Sequence, residues 1–207
     1  MDRIEKLIYG ILVLALLIFA YNSYQIDGLT GNKIISSKDE AVSTNNPVNG
    51  NTLGFDFIPK GIPSIYGLEL GVSYDDVSST DQKKADSTIK KLGILDEQIT
   101  LSGKDSERYI SIVSQISCEY CCGVDSIIFK DGKPACGCQH SFAMRGLAKY
   151  LIKNHGNKYT NDEILEELGK WKTLFFPMQI EKKAQILQQK GIALNYINLA
   201  SNKYRRI

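Results

Sequence analysis

The apolar positions of the chain form one N-terminal run and then a series of helical repeats. Residues 7–26 contain no charged side chain, and residues 7–21 are almost entirely apolar. Further along, apolar side chains recur every three or four residues, which is the period of a helix with one buried face. This spacing predicts helices over residues 81–93, 104–116 and 141–153, one that begins after Thr160, and a last one over 179–200.

Polar residues mark where several of these helices are expected to begin. Ser79 and Ser102 are candidate caps, and Thr160 with Glu163 has the spacing of a capping box. The predicted inward-facing residues are Ile89 and Leu92, then Tyr109, Ile110, Val113 and Ile116, then Ala143, Leu147, Tyr150 and Leu151, and finally Ile164, Leu165, Leu168 and Trp171.

The N-terminal apolar run has the length of a membrane span. A helix of twenty residues extends about 30 Å, which matches the hydrocarbon core of a bilayer. No small-x-small cleavage pattern follows the run, so we expect a signal anchor over residues 1–26 that is not cleaved. Arg3 and Lys6 precede the span and favour an inside N-terminus. The expected location is therefore the cell membrane, with a single pass and an extracytoplasmic C-terminal domain.

Three further segments follow the predicted anchor. Residues 27–63 are rich in Gly, Asn, Ser and Thr, and we interpret them as a flexible linker. Residues 64–178 are expected to form the folded domain, in which the alternating segment 68–74 is a strand or an extended arm. Residues 179–207 are expected to form a basic amphipathic C-terminal helix. Its charges are interpreted as a solvated helix face, and the alternative is a patch that binds acidic lipids or a partner.

The charge balance argues against a nucleic-acid partner. The chain has 25 Lys and Arg against 23 Asp and Glu, a net charge of +2, whereas nucleic-acid binders carry a basic excess or stripe. The helix predicted after the cysteines presents only Arg145, Lys149 and Lys153 as basic residues. No catalytic Ser/His/Asp order, phosphate-binding glycine loop or His-Glu-x-x-His motif is found, so we expect no enzyme. Thiol redox activity of Cys118 and Cys121 is the minor alternative.

The cysteines are concentrated in one stretch. All five lie between residues 118 and 138, at Cys118, Cys121, Cys122, Cys136 and Cys138. The Cys-x-x-Cys spacing of the first two directs a pair of thiolates at one ion from a tight turn. Thiolates are the donors of structural zinc sites and of sites for soft ions such as Cu(I).

The residues between the cysteines predict a hairpin followed by a helix. Residues 126–129 have β character, and the Asp131-Gly132 dipeptide favours a hairpin turn. Helix 141–153 then begins just after Cys138. A Cys knuckle, a hairpin and a helix occur in this order in treble-clef zinc fingers. The predicted fold class is therefore α+β, mainly α-helical, with a treble-clef-like unit.

Two interpretations of the cysteines remain open at this point. In the first, a metal site is formed by Cys118, Cys121, Cys136 and Cys138, with His140 as an adjacent donor and Cys122 as a spare one. Zn²⁺ is the expected ion, and Cu(I) is the alternative. The second pair, Cys136 and Cys138, has a Cys-x-Cys spacing in place of the usual Cys-x-x-Cys, which leaves open which donors bind. In the second, oxidising conditions outside the cytoplasm produce disulfides, and the odd count leaves one thiol.

Three motifs resemble a known family. CEYCC, CGCQHSFAMRGLAKYL and ELGKWKTLFFP are similar to segments of archaeal membrane-anchored proteins of uncharacterised activity, over about residues 60–178. This resemblance implies a membrane-anchored protein with a cysteine cluster, and it implies no activity. The Cys-Gly-Cys-x-His piece also loosely resembles bacterial lipoproteins with a Pro-Cys-Tyr-Cys-Gly-Cys motif, which are thought to handle metal. That similarity covers only a few residues, so no residue role follows from it.

The expected function is therefore that of a membrane-anchored metal-binding protein. Its cluster would hold a structural Zn²⁺ or take part in copper or zinc handling. The alternative is a disulfide-stapled extracytoplasmic module that contacts another envelope protein.

Overall fold

The computed structural model describes residues 56–205 and 207, and this part of the chain is mainly helical. The predicted anchor and most of the predicted linker lie outside these residues. Among the described residues, no helix is long and apolar enough to cross a membrane. The helices are α1 (Gly67–Leu70), α2 (Gln82–Gln98), α3 (Gly103–Val113), α4 (Gln139–His155), α5 (Asn161–Phe175), α6 (Pro177–Gln189) and α7 (Tyr196–Ala200), and 3-10 turns lie at Tyr74–Asp76 and Asn202–Tyr204.

The β part of the predicted fold class is absent from the described residues. No strand forms there, and pairing is limited to isolated bridges, which join Ile116 to Ser201, Cys118 to Val124 and Ile128 to Pro134. Segment 68–74, expected to be a strand or an extended arm, is not a strand. Residues 68–70 belong to α1, and Gly71 ends that helix with a left-handed φ of 60° and donates its N–H back to the carbonyls of the turn.

The predictions from helical periodicity agree with the helices α2 to α5, apart from their ends. Thr160 and Glu163 form the expected capping box at the start of α5. The cap of α2 is Asp81 and not Ser79, since the Asp81 carboxylate accepts from the N–H of Lys84 at 3.0 Å. The single helix expected over 179–200 is two helices, and Gly191, with a φ of 68°, lies in the break between α6 and α7.

Helix α4 packs against α2, α3 and α5. Helices α4 and α2 approach each other closely, since a Cβ added to Gly146 would lie 2.0 Å from the carbonyl oxygen of Leu92. The predicted inward-facing residues of all four helices are buried, except that Ile110 and Tyr150 are half-buried. The main core is therefore a helical one.

The residues before α2 are attached to this core by a buried polar network. The Glu167 carboxylate, on α5, accepts hydrogen bonds from the hydroxyls of Tyr66 at 2.6 Å and Tyr74 at 2.5 Å. The indole N–H of Trp171 donates to the Tyr66 hydroxyl at 2.7 Å. Residues 56–63, at the end of the predicted linker, also contribute, since Ile58 packs on the core.

The C-terminal helices form a second apolar cluster and return the chain towards the end of α3. The cluster contains Phe176, Ile180, Ala184, Leu187 and Leu199. Beyond it, Asn202 donates its N–H to the carbonyl of Gln115 at 2.9 Å and its side-chain amide to that of Ser114 at 2.8 Å. These bonds place the last described residues beside the start of the cysteine-bearing segment.

Candidate metal centre

The first three cysteines lie on a tight loop that follows α3. The Cys118 N–H donates to the Val124 carbonyl at 3.2 Å, and the Gly123 N–H donates back to the Cys118 carbonyl at 2.8 Å. Gly123 has a φ of 69°, a conformation that L side chains rarely adopt. The loop thus leaves Cys118 buried while Cys121 and Cys122 are exposed.

A hairpin-like turn carries the chain from this loop to the last two cysteines. The Phe129 N–H donates to the Lys133 carbonyl at 2.8 Å, and the Ala135 N–H donates to the Ile127 carbonyl at 3.1 Å. Gly132 makes the turn with a φ of 83°. The hairpin predicted from Asp131-Gly132 is therefore present as a turn with one bridge and not as paired strands.

The sulfur atoms converge where the loop meets the start of α4. The Sγ atoms of Cys118, Cys121, Cys122 and Cys138 all lie within 4.8 Å of one another. Cys118 Sγ is 3.5 Å from Cys138 Sγ and 3.6 Å from Cys136 Sγ. Four sulfurs bound at 2.3 Å in a tetrahedron are separated by about 3.8 Å, so small shifts would allow these atoms to coordinate one ion.

The same cluster contains a disulfide between Cys122 and Cys136, whose Cα atoms are 6.3 Å apart. Cys118, Cys121 and Cys138 are free thiols. Three of the four predicted cysteine ligands thus lie together, and the predicted spare donor Cys122 lies with them. The fourth predicted ligand, Cys136, is buried and is bonded to Cys122.

Cys138 has the environment of a stabilised thiolate. It is the N-cap of α4, and its Sγ accepts from the Ser141 N–H at 3.4 Å and lies 3.3 Å from the Ser141 hydroxyl. The hydrogen bond from Cys118 and those from Ser141 outweigh burial and lower the pKa of Cys138 to about 6. The same Cys118–Cys138 hydrogen bond, together with burial, raises the pKa of the Cys118 thiol well above its usual range.

His140 is not a member of the group of four sulfurs. Its ring packs between those of Phe175 and Phe176, with centroid distances of 4.9 and 4.8 Å. Its Nδ1 is buried without a hydrogen-bond partner, and desolvation lowers the pKa of the imidazole. The structure therefore places an imidazole two residues beyond Cys138 in an aromatic setting that disfavours its charged form.

A buried ion cluster lies under the cysteine loop. Glu119 Oε1 is 3.1 Å from the Nζ of Lys172 and 3.0 Å from that of Lys183. Burial would raise the pKa of Glu119, but the two ammonium groups outweigh it and lower that pKa, while burial lowers the pKa of Lys172 to about 8. Two lysines thus face one carboxylate, one residue away from Cys118.

Arg145 supports the segment that carries Cys136. It was expected on the helix surface, but it is fully buried. Its Nε donates to Asp96 Oδ2 at 2.7 Å, and its Nη1 donates to the Cys136 carbonyl at 2.9 Å. Helical spacing alone does not predict this role. The signal in the sequence is that Arg145 is flanked by apolar Met144 and Leu147, whose side chains the structure buries.

Comparisons of the chain with family models, with curated protein sequences and with solved structures find no match. The resemblance to archaeal membrane-anchored proteins therefore stays an expectation, and the function rests on the chemistry of the cysteine cluster.

Proposed function

We propose that the protein binds one metal ion through its cysteine cluster, with Zn²⁺ as the preferred ion and Cu(I) as the alternative. The observation that carries this proposal is the convergence of four Sγ atoms, from Cys118, Cys121, Cys122 and Cys138, within 4.8 Å. The donors come from two places in the chain, the loop after α3 and the N-terminus of α4. Three of these sulfurs are free thiols, and Cys122 becomes the fourth once its bond to Cys136 is reduced. Four thiolates brought together in this way are the donor set of closed zinc sites and of Cu(I) sites.

The charges around the cluster support an anionic metal–thiolate complex. Four thiolates around Zn²⁺ carry a net charge of −2, which is costly near a core unless cations are close. Lys172 and Lys183 outnumber the one carboxylate of Glu119, and the N-terminus of α4 adds a positive dipole end.

A bound ion would have a structural consequence. It would connect the loop at residues 118–122 to α4, so that the loop, the turn bridged at Ile128 and Pro134, and the helix would form a treble-clef-like unit. Exposure of Cys121 and Cys122 on one side of the cluster would let an ion enter from solvent. This role is one of binding and not of catalysis.

The membrane anchor is a second part of the proposal. The uncharged run over residues 7–26 supports it, because its length suits a single span. The metal-binding domain would then be held on the outer side of the cell membrane.

Metal analysis of the reduced protein tests the proposal. The full chain would be purified in mild detergent without oxygen and with a reductant, and then titrated with Co²⁺ as a spectroscopic substitute for Zn²⁺. We expect one ion per chain, with thiolate-to-cobalt absorption and tetrahedral d–d bands of four-sulfur intensity. Cys138→Ser should lose this signature, whereas Ser126→Ala, a change on the neighbouring turn, should retain it. A reduced protein with five reactive thiols and no bound metal would refute the proposal.

The disulfide between Cys122 and Cys136 favours a second candidate, an interaction module stapled by that bond and without metal. This candidate predicts three free thiols and no metal uptake before or after reduction. An envelope protein would then be the partner of the domain.

A further inference from the structure

We infer that the metal site is gated by oxidation of its own cysteines: the cluster binds its ion only when Cys122 and Cys136 are not joined in a disulfide. This inference rests on the proposed metal-binding function and adds the condition under which the site is available. The structural basis is that one compact group of sulfurs contains both the candidate ligands and a disulfide.

Two different sets of four sulfurs can be drawn from the cluster. Cys118, Cys121 and Cys138 belong to both sets. The fourth donor is either Cys122, which lies within 4.8 Å of the other three, or Cys136, whose Sγ is 3.6 Å from that of Cys118. The disulfide consists of these two alternative fourth donors. Whichever set binds the ion, the oxidised protein therefore lacks its fourth thiolate.

Rearrangement of the disulfide within the cluster does not open the site. A Cys118 thiolate that attacks Cys136 Sγ forms a bond between these two residues and releases the Cys122 thiolate, with no change in the number of electrons. The chain has five cysteines in total, so any single disulfide among them leaves three thiols. Four-sulfur coordination thus requires net reduction.

The opening step is a two-electron reduction by an external dithiol. One thiolate of the dithiol attacks the disulfide and forms a mixed disulfide, and its second thiol then resolves that bond. The dithiol becomes a disulfide, and two electrons and two protons are transferred to Cys122 and Cys136. Cys122 is exposed and Cys136 is buried, so the geometry favours initial attack at Cys122. A metal ion that then binds displaces the remaining protons from its four thiols.

Serine variants of the disulfide partners separate gating from binding. Cys122→Ser and Cys136→Ser each abolish the disulfide and each leave one complete four-sulfur set. We expect both variants, with four free thiols verified by mass spectrometry, to bind Co²⁺ with and without reductant. The wild-type full chain in detergent should show the four-sulfur spectrum only after reduction, and its affinity for Co²⁺ should be at least about tenfold weaker when oxidised. The double variant, with three cysteines, should bind weakly in both conditions.

A metal-release assay on the wild-type chain makes the test independent of how the variants fold. The reduced, Zn²⁺-loaded protein would be treated with diamide, which takes up two electrons and two protons for each disulfide that forms. We expect one Zn²⁺ to be released for each disulfide, and rebinding after a dithiol is added.

The outcomes distinguish the two proposals. If the oxidised wild type, with three free thiols, binds Co²⁺ with the same affinity and spectrum as the reduced protein, the gating is refuted and metal binding stands. Zn²⁺ that stays bound after a disulfide has formed would also refute the gating. If the fully reduced wild type binds no metal, the proposed function itself fails.

Discussion

Arg145 and Asp96 form an ion pair inside the protein, with Nε of the guanidinium 2.7 Å from Oδ2 of the carboxylate. The Arg145 side chain is fully buried and that of Asp96 is 4% exposed. The pair joins α4 to the end of α2, and the second bond of Arg145, to the Cys136 carbonyl, extends the link to the cysteine segment. Helix packing and the shape of the candidate site therefore depend on the same side chain.

Replacement of Arg145 should destabilise the protein strongly. Arg145→Met removes the guanidinium from the buried Asp96 carboxylate and leaves Lys149, whose Nζ is 2.7 Å from Asp96 Oδ1, as the remaining cation. Loss of one partner of a buried pair costs about 3–5 kcal/mol of unfolding free energy, and the remaining lysine should keep this loss near the lower end of that range. Urea unfolding followed by circular dichroism would measure the loss. The matched control is the double variant Arg145→Met and Asp96→Leu, which removes both charges of this pair, leaves only the partly exposed Lys149, and should recover part of the stability. A single variant within about 1 kcal/mol of wild type would contradict the burial of this pair.

Two glycines that face the contact between α2 and α4 should respond oppositely to alanine. Gly146→Ala places a Cβ 2.0 Å from the Leu92 carbonyl oxygen, so the helices must separate, and we expect a loss of about 2–3 kcal/mol. Gly93→Ala places its Cβ 3.4 Å from Cβ of Phe142, an ordinary contact, and should be neutral or stabilising by up to about 1 kcal/mol through helix propensity. Thermal unfolding of both variants checks this, and equal effects would contradict the close approach.

The free thiols should differ in how their alkylation depends on pH. In the metal-free protein, the Cys138 thiolate fraction rises with pH and is half-maximal at about pH 6, so its alkylation rate should level off above that point. Cys118 should stay protonated and slow to react throughout this range, because its own pKa is raised. Iodoacetamide labelling with site-resolved mass spectrometry would give both profiles.

The serine at position 141 provides the control for this profile. Ser141→Ala removes the hydroxyl beside Cys138 Sγ and keeps the backbone N–H that donates to it. The pKa of Cys138 should therefore rise above the wild-type value, but only in part, because one of the two hydrogen bonds from Ser141 remains. A Cys138 profile with its midpoint near the usual value of about 8.5 in the wild type would count against the thiolate environment.

Burial of Lys172 should produce a stability gain on the alkaline side of neutral. The pKa of Lys172 falls from 10.5 to about 8 in the folded protein. Between these values the unfolded chain binds more protons than the folded one, so this group makes the unfolding free energy increase with pH. Below about pH 8 both states are protonated, and the cost of the buried charge is present in full.

The measurement compares urea unfolding at about pH 7.5 and about pH 9.5, where the wild type should gain on the order of 2 kcal/mol relative to Lys172→Met. The matched control is Lys182→Met, a change at an exposed lysine on α6, which should retain the wild-type slope. A slope shared by the wild type and Lys172→Met would indicate that Lys172 titrates normally.

The sequence predicted the helices best where periodicity and a cap agreed. Thr160 and Glu163 locate the start of α5 through local hydrogen bonds, and no distant contact is needed to establish them. The apolar spacing continues across Gly191, so it predicts one helix where the structure has a break between α6 and α7. Segment 68–74 alternates as a strand would, but Gly71 ends a helical turn there, and alternation alone does not report a left-handed glycine.

At the candidate site, sequence spacing located the cysteine cluster but did not determine its pairing. Cysteine spacing does not reveal which sulfurs are bonded, so the disulfide of Cys122 and Cys136 could only be weighed against a metal site. The sequence does not predict the ion-pair partners of Glu119, for a different reason. Lys172 and Lys183 lie more than fifty residues further along the chain, and only the folded packing of α5 and α6 brings them to the loop.

The ion cluster at Glu119 also implies an order of events during biosynthesis. The cysteine loop is synthesised before its partners, since Glu119 pairs with residues 53 and 64 positions later, and Ile116 bridges to Ser201. Until those later residues emerge from the ribosome, the nascent loop lacks the cations and the packing that surround it in the folded domain. During that interval its thiols are open to oxidants and to metal ions alike, so the redox conditions of the compartment that the nascent loop enters help to decide which state the cluster first adopts.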